Sequence, residues 1–182
     1  MILKGEETIL RPVRISDAKK FLEWYSDPEI NKFLSREKTT LAKQKKQISL
    51  SIKDRSTFNF VIETNEGLPI GQLIFFTDKK ENDGSFGMTI GEKEYWSKGF
   101  GSDAAKSILK FGFGKLRLNQ IHLSGNGTYE YNKRAIRAAA KLGFKREGVL
   151  RDRIRYKGKY YDMIPMSMLA SEWRKEKLKE NF

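Results

Sequence analysis

One stretch of the chain, residues 90–113, decides the fold and reads IGEKEYWSKGFGSDAAKSILKFGF. Gly99 and Gly101 carry no Cβ, so backbone N–H groups can come close to a ligand there. A helix with apolar residues at helical spacing follows directly. The unpaired N–H groups and the positive dipole end of that helix face the same point as Lys98. The stretch therefore predicts a pyrophosphate-binding loop. A glycine-rich helix start without a ligand is the alternative.

Two familiar phosphate-binding motifs do not fit this stretch. A Walker loop needs Ser or Thr directly after its Gly-Lys pair, and here Gly114-Lys115 is followed by Leu116. The glycines do satisfy the permissive GxGxxA pattern of dinucleotide-binding folds. That pattern also needs an acidic residue at the end of the next strand, and residues 120–124 contain none. The loop is therefore predicted to bind a phosphate ligand other than NAD.

The composition excludes several kinds of chemistry. The chain has 182 residues, no cysteine and a single histidine, His122. Disulfides, thiolate metal sites, cysteine nucleophiles and two-histidine metal sites are therefore impossible within one chain, and no metal is expected. His122 lies in a short predicted strand, where a structural histidine is favoured over a general base. Catalysis has to use carboxylates, hydroxyls, backbone dipoles or a bound cofactor.

The charge of the chain points to an anionic partner. Lys and Arg number 36 and Asp and Glu 23, which gives a net charge of +13. Residues 133–159 are the most basic stretch, and they form either a solvated surface or a face that meets phosphate groups. Arg151, Arg153 and Arg155 alternate along a predicted strand, so they are expected to share one face. That face is either a solvent-facing row or a contact for an acidic substrate or RNA-rich surroundings.

The hydrophobic pattern predicts one α+β domain over residues 1–182, with an antiparallel meander followed by a strand–helix–strand–helix section. Helices are expected after Asp17, over 40–53, over 105–116 and after Asn132, strands over 9–13, 58–62, 68–76, 85–91 and 120–124, and a hairpin over 144–169. Neither a membrane span nor a signal peptide is indicated, so we expect a cytoplasmic chain without a membrane partner.

Four segments, in the right order, resemble the GNAT acyl-CoA N-acetyltransferases, and more narrowly the bacterial branch of ribosomal-protein N-terminal acetyltransferases. Residues 90–113 are similar to motif A of that family. Residues 10–34, LRPVRISDAKKFLEWYSDPEINKFL, resemble its opening strand and helix. Residues 132–162, NKRAIRAAAKLGFKREGVLRDRIRYKGKYYD, resemble its closing helix and hairpin, and residues 166–173, MSMLASEW, its end. The resemblance implies a mixed, mainly antiparallel central sheet with flanking helices and a splayed, V-shaped cofactor slot.

The resemblance also implies a cosubstrate, acetyl-CoA, and the residues that hold it. In the family, backbone amides of the loop bind the pyrophosphate, and the end of the preceding strand pairs with the pantetheine arm and polarises the acetyl carbonyl. An Asn at the start of the last helix touches the pantetheine. The residues assigned to the coenzyme in this way are Met88, Thr89, Ile90, Trp96, Ser97, Lys98, Gly99, Phe100, Gly101, Ser102, Asn132 and Arg134.

The chain departs from the family where many relatives carry a Tyr as the general acid for the leaving thiolate. That position is Ala139 here. Tyr129 and Tyr131 are near in sequence and either replace it or are ordinary packing residues. A carboxylate could serve as base through a water relay, and Glu23, Asp27, Glu92 and Glu130 are the candidates by family position. The catalytic residues predicted on this basis are Asn132, Glu23 and Tyr131.

The implied reaction is direct attack of a neutral amine on the acetyl thioester. A lysine-like amine is only ~0.04% neutral at pH 7, whereas a peptide α-amine is about 10–20% neutral. The positive chain also attracts polyamines poorly. We therefore predict a protein N-terminal α-amine as acceptor. The alternative is a small amine, such as a nucleotide amino sugar, an aminoglycoside or, less favoured, a polyamine.

A second alternative is a basic module without catalysis that binds nucleic acid or ribosomes, for which Tyr156, Tyr160 and Tyr161 would be stacking residues. The enzyme is favoured over the module, so a nucleic-acid partner is not expected. A homodimer stays open.

Overall fold

The structure is a computed structural model, and it describes residues 1–34, 39–123 and 127–180. The strands are β1 (Leu3–Lys4), β2 (Thr8–Pro12), β3 (Thr57–Thr64), β4 (Pro69–Asp78), β5 (Asp83–Ile90), β6 (Gln120–Leu123), β7 (Thr128–Tyr129), β8 (Lys145–Arg146), β9 (Leu150–Tyr156), β10 (Lys159–Ile164) and β11 (Met166–Leu169). The helices are α1 (Ala18–Ser26), α2 (Pro28–Asn31), α3 (Leu41–Lys53), α4 (Phe100–Leu109), α5 (Lys133–Lys141) and α6 (Ala170–Glu180). None of the helices among the described residues is long and apolar enough to cross a membrane.

The chain divides into two compact units. The first consists of Met1–Phe76 and Gly87–Ile108, and the second of Thr77–Phe86 and Leu109–Phe182. Strand β5 runs from the second unit into the first. The architecture is α+β with mainly antiparallel strands, as the sequence predicts.

The first unit holds the antiparallel strands β1, β2, β3 and β4 in this order, followed by the end of β5. Helix α1 buries Phe21, Trp24 and Tyr25 because these residues recur with helical spacing on one face. They pack with Ile48 of α3 and Val61 of β3 into one apolar cluster. The predicted helix after Asp17, the helix over 40–53 and the meander are therefore confirmed.

Asp17 precedes α1, but its side chain does not cap that helix. Its carboxylate accepts from the Arg14 N–H at 2.7 Å and from the Arg11 guanidinium at 2.8 and 2.9 Å. Arg11 also donates to Glu63 at 2.6 Å. The partly buried guanidinium needs both carboxylates, so the cap expected from the local sequence is replaced by a contact with β2.

The second unit contains two groups of strands. In one, Asp83–Phe86 of β5 pair in parallel with β6, and β11 and β8 follow in antiparallel order. In the other, β10 lies between β7 and β9. A π-helical segment, Lys110–Lys115, stands where the sequence predicts the second half of a regular helix.

The hairpin predicted over 144–169 is present in part, and the sequence also predicts a bulge or an edge at Pro165. The turn at Lys157-Gly158 is present, with φ values of 49° and 80°, but it joins only β9 and β10. Pro165 has no N–H for a ladder and separates β10 from β11, which belongs to the other group of strands.

The arginine alternation predicted for β9 is also interrupted. Asp152 has a φ of 50°, and the β9–β10 register shifts between Tyr161 and Met163. Arg151 therefore does not continue the regular two-residue alternation of Arg153 and Arg155.

Candidate functional site

The loop before α4 has the backbone conformation of an anion-binding turn. Ser97 and Gly99, on either side of Lys98, have φ values of 62° and 95°. The Asp103 N–H makes the first intrahelical bond, 3.0 Å to the Gly99 carbonyl. The N–H groups of Phe100, Gly101 and Ser102 lie before it and have no intrahelical acceptor. Three backbone donors, the positive end of a helix and the Lys98 ammonium are what a pyrophosphate needs.

This loop is fastened to the end of β5. The Trp96 indole donates to the Ile90 carbonyl at 2.8 Å. A Cβ on Gly101 would lie 3.3 Å from the Met88 methyl carbon and 3.7 Å from Cγ1 of Ile90. The structure therefore brings together the two segments that the sequence assigned to the coenzyme within the first unit.

Trp96 differs from the expectation in one respect. Its backbone N–H donates to the Lys93 carbonyl at 3.0 Å, so this amide is already used and cannot face a phosphate. The indole packs against the apolar cluster of α1 and α3. Trp96 is thus a support of the loop, and the phosphate-facing donors begin after it.

The end of β5 departs from β4 through a β-bulge. The N–H groups of Gly91 and Glu92 both donate to the Ile70 carbonyl, at 2.8 and 3.1 Å. Two residues thus oppose one, which is the arrangement of a bulge. Gly71 has no room for a side chain, because a Cβ would lie 2.3 Å from the Thr89 carbonyl oxygen. The bulge lies directly after the strand segment predicted to meet the pantetheine arm.

Asp103, in the first turn of α4, fastens the helix to the turn between β1 and β2. Its carboxylate accepts from the N–H groups of Glu6, Glu7 and Thr8 at 3.0, 3.1 and 2.9 Å, and from the Thr8 hydroxyl at 2.6 Å. Burial alone would raise the pKa of Asp103, but the hydrogen bonds from Thr8 and the two preceding amides lower it below its ordinary value. Sequence reasoning missed this residue because its partners lie far away in the chain.

Two of the candidate bases are held as ion-paired carboxylates. Glu92 accepts from Lys20 Nζ at 2.5 Å and from the Trp24 indole at 2.9 Å. Burial raises the pKa of Glu92, but these two partners outweigh it and the net pKa is lowered. A hydrogen bond from Lys93, 2.7 Å away, lowers the pKa of Asp27. Carboxylates stabilised in this way are weak bases. Glu23 is exposed and lies 3.8 Å from Lys20 Nζ, and its role as the base stays a prediction.

The other predicted site residues belong to the second unit. Asn132 begins α5, as predicted, and its side-chain oxygen accepts from the Ala135 N–H at 3.2 Å. Arg134 is exposed, and Ala139 is buried where many relatives carry the helix tyrosine. Tyr131 stacks on Tyr129 with ring centres 5.2 Å apart. Its role as an acid stays a prediction.

Glu130 and His122 also have partners in the second unit. The Glu130 carboxylate accepts from the Asp162 N–H at 3.2 Å, and its own N–H donates to the Asp162 carbonyl at 3.0 Å. Nδ1 of His122 lies 3.9 Å from the Asp83 carboxylate. Neither contact distinguishes a catalytic role from a structural one.

Aromatic and basic side chains are interleaved on β9 and β10. The Arg155 guanidinium lies 6.0 Å from the ring centre of Tyr160, and Lys157 Nζ lies 5.5 Å from that of Tyr156. Tyr160 is 59% exposed. These are cation–π distances. The sequence shows aromatic and basic residues close together on these strands, but not which of them meet.

A cavity of about 490 Å³ lies in the first unit between α1, α3, β3 and β4. Most of the described residues in its wall carry a hydrogen-bonding group, and Lys43 is the one charged residue among them. The Tyr25 hydroxyl donates to the Gln72 side-chain oxygen. The Gln72 amide then donates to Asn59 at 2.8 Å, and the Asn59 amide to Ser51 at 2.9 Å. Sequence reasoning missed the cavity, because four separate elements contribute to it.

These features have counterparts in known proteins. Residues 7–145 match the family described as "Acetyltransferase (GNAT) domain". The chain therefore belongs to the GNAT family of acetyltransferases. It is an N-acetyltransferase that uses acetyl-CoA as cosubstrate and an amine as acceptor. The predicted family, enzyme class and cosubstrate are thereby confirmed.

Particular relatives cover most of the chain. An uncharacterized N-acetyltransferase, p20, from Bacillus licheniformis is 28% identical over 178 residues, which are 94% of this chain and 97% of that protein. The prophage-derived uncharacterized N-acetyltransferase YokL of Bacillus subtilis is 31% identical over 121 residues, 66% of each chain.

Solved structures show the same fold. An acetyltransferase of the GNAT family from Bacillus anthracis superposes with a TM-score of 0.81 at 23% identity, covering 94% of this chain and all of that one. A spermidine N-acetyltransferase from Vibrio cholerae, in complex with CoA and spermine, gives a TM-score of 0.85 at 22% identity, covering 93% of this chain and 99% of that one.

Proposed function

We propose that this acetyltransferase modifies the N-terminal α-amine of a peptide or protein. The observation that carries the proposal is the charge of the cavity between α1, α3, β3 and β4. Lys43 is the one charged residue among those described in its wall, and the whole chain has a net charge of +13. Among the described residues of this wall there is no carboxylate for a polyamine, whereas a peptide can pair its backbone with the amides there.

The basicity of the acceptor supports the same choice. A peptide α-amine is about 10–20% neutral at pH 7, so a neutral nucleophile is available without a strong base. Glu92 and Asp27 are weak bases because Lys20 and Lys93 pair with them. An acceptor amine of low basicity fits a site whose carboxylates are already paired with lysines.

The coenzyme is assigned to the loop residues that offer donors. The N–H groups of Phe100, Gly101 and Ser102, together with Lys98, would hold the pyrophosphate. The backbone of Met88, Thr89 and Ile90 would align the pantetheine arm and place N–H groups near the acetyl oxygen. Holding both reactants in one slot would supply most of the rate advantage.

The single-domain interpretation is part of the proposal. The matched range, 7–145, includes residues of both compact units. We therefore regard residues 1–182 as one acetyltransferase domain with its cofactor slot.

The names of two similar acetyltransferases point to different acceptors, and only the first supports the proposed one. The putative ribosomal N-acetyltransferase YdaF of Bacillus subtilis is 28% identical over 85 residues, 47% of this chain and 45% of that protein. This supports a ribosomal or other protein N-terminus. The spermidine acetyltransferase is similar in fold at 22% identity, and its acceptor is not carried over.

A nucleotide amino sugar is the second candidate, because hydroxyl and amide groups line the cavity and Lys43 could meet a phosphate. The test is CoA release with three acceptor sets: neutral and acidic peptides, a nucleotide amino sugar, and spermidine. Peptides with a blocked N-terminus serve as controls. Turnover of free but not blocked peptides supports the proposal, and preferred turnover of spermidine overturns it.

A further inference from the structure

We propose that three side chains, Lys20, Trp24 and Glu92, hold the end of β5 in the position that acetyl transfer requires. Lys20 and Trp24 act through the Glu92 carboxylate. All three are positioning residues, since none of them is assigned to the reacting atoms. The inference rests on the proposed function, which assigns the end of β5 to the pantetheine arm and the acetyl group.

The Glu92 carboxylate joins α1 to the segment that follows β5. Its Oε1 atom accepts from Lys20 Nζ at 2.5 Å and from the Trp24 indole N–H at 2.9 Å. Lys20 and Trp24 are four positions apart on α1, so their side chains lie on one face and reach the same oxygen. Two donors on one oxygen, one of them an ammonium group, fix the position of this carboxylate.

Gly91 lets the Trp24 indole approach the backbone directly. A Cβ on Gly91 would lie 2.1, 2.2 and 2.5 Å from three ring atoms of Trp24, so the ring occupies the space of a side chain. Only glycine permits such a close approach. Trp24 is itself buried in the apolar cluster of α1 and α3. The backbone at Gly91 is therefore held against a ring that has a fixed place in the core.

The backbone at this point depends on side-chain contacts because it forms the bulge. The N–H groups of Gly91 and Glu92 share one acceptor, the Ile70 carbonyl, at 2.8 and 3.1 Å. A bulge disrupts the regular ladder of the sheet locally. The Trp96 indole provides one further contact, 2.8 Å to the Ile90 carbonyl. The contacts of Trp24 and Lys20 secure the next two residues.

Acetyl transfer is sensitive to the exact place of this strand end. Backbone N–H groups stabilise a developing oxyanion only when they lie about 2.7–3.1 Å from it. A displacement of about 1 Å can cost about a hundredfold in rate. The pyrophosphate is assigned to other groups, the N–H donors at the start of α4. Loosening the end of β5 should therefore lower kcat and leave the affinity for CoA close to its native value.

A general base at Glu92 is the competing role, and Lys20→Met separates the two. Burial raises the pKa of Glu92, but the hydrogen bonds from Lys20 and Trp24 outweigh it and the net pKa is lowered. Without Lys20 this pKa would rise, so a catalytic base would become stronger and kcat would stay or increase. A positioning carboxylate would lose a partner, and kcat would fall.

The kinetic test uses Lys20→Met and Glu92→Gln, with an Ala-started peptide as acceptor. Lys19→Met is the matched control, because Lys19 is an exposed lysine one position away on α1 and the change in charge is the same. We expect kcat to fall about tenfold in the first two variants and to stay native in the control. The KM of acetyl-CoA and the Kd of CoA should change little in all three.

Two more variants test whether the side chains act as one unit. The double variant Lys20→Met/Glu92→Gln should lower kcat no further than Glu92→Gln alone, because both changes remove the same contact. Trp24→Phe keeps an aromatic ring beside Gly91 but removes the indole N–H, so it should lower kcat in the same direction. Independent losses that add up in the double variant would contradict a shared carboxylate.

Hydrogen exchange measures the position of the strand end without turnover. The amides of Gly91 and Glu92 should exchange faster in Lys20→Met and Glu92→Gln, while the amides between β2 and β3 keep their native rates. Lys19→Met should leave both sets unchanged. Faster exchange throughout the unit, with a lower Tm, would show a general loss of stability and overturn the positioning role.

The remaining outcomes separate this inference from the proposed function. An unchanged kcat in both variants, or an increased kcat in Lys20→Met, overturns the positioning role and leaves the peptide activity in place. Native exchange at Gly91 and Glu92 does the same. If the native chain acetylates another amine but not the peptide, the proposed acceptor fails, and the same variants then decide the positioning role with that amine.

Discussion

The coenzyme loop and the cavity beside α3 belong to the same unit but are built in opposite ways. The loop, residues 96–102, offers backbone N–H groups from consecutive positions, and glycine spacing is its only requirement. The cavity is made of side chains that α1, α3, β3 and β4 bring together. A backbone-built site leaves a local pattern in the sequence, whereas a side-chain-built site does not. The coenzyme loop can therefore be predicted from sequence, whereas the cavity is found only in the structure.

The strongest test of the loop is Gly101→Glu. The Cβ there points at the β5 side chains of Met88 and Ile90, so a glutamate would put a negative charge between that strand and the loop amides assigned to the pyrophosphate. Like charges about 4 Å apart repel by about 4 kcal/mol at an effective dielectric constant of 20. With solvent screening, we expect the Kd of CoA to rise about a hundredfold in calorimetry. Gly101→Ala is the control, since its Cβ would meet the flexible end of Met88 at 3.3 Å and would lie in ordinary contact with Cγ1 of Ile90 at 3.7 Å. A native Kd in the glutamate variant would remove the loop from the coenzyme site.

The next largest effect is expected for the contact that holds α4 to the turn between β1 and β2. Asp103→Asn replaces a carboxylate that accepts from three amides and a hydroxyl. Charge-assisted bonds of this kind contribute about 1.5–3 kcal/mol, so the free energy of unfolding in urea should fall by about 2 kcal/mol. Glu94→Gln, which changes an exposed acid in the segment before the coenzyme loop, should alter this free energy little.

The Asp103 effect depends on pH. The pKa of Asp103 is lower in the folded chain, so its contribution is complete above the unfolded pKa of about 3.9 and is lost as pH falls through the folded value. The difference between the native chain and Asp103→Asn should therefore be constant near neutral pH and shrink below about pH 4. A difference that grows in acid would contradict the assignment.

The smallest expected effect is that of Trp96→Phe. It keeps an aromatic ring against the apolar cluster but removes the 2.8 Å bond to the Ile90 carbonyl. A neutral hydrogen bond contributes about 1 kcal/mol, so CoA should bind about fivefold more weakly in calorimetry. A native Kd for CoA in this variant would mean that the indole bond does not support the loop.

Much of the first unit follows from local patterns. The apolar face of α1, the alternation in β3 and the glycine loop are each encoded within a few neighbouring residues. The cap at Asn132 is similarly local and was predicted correctly. These features do not depend on distant partners, which is why the sequence alone predicts them.

Other features depend on contacts that the sequence does not reveal. Pro165 ends one strand and begins another in a different group, and Asp152 adopts a positive φ within a bulge. Asp17 and Asp103 both resemble helix-start acids, but each uses its carboxylate on a partner outside its helix. In each case, tertiary contacts determine the backbone conformation that is adopted or the partner that the carboxylate binds.

Asp103 also bears on how the cosubstrate arrives. A negative charge in the first turn of a helix would ordinarily weaken the attraction of that terminus for an incoming polyanion. Here both carboxylate oxygens point at the dipoles of the β1–β2 turn, which compensate the charge locally. The carboxylate still carries its charge of −1, but the chain's net charge of +13 outweighs it at long range. Asp103 can therefore hold α4 in place while the chain still attracts CoA at long range. The association rate of CoA should decline as ionic strength rises.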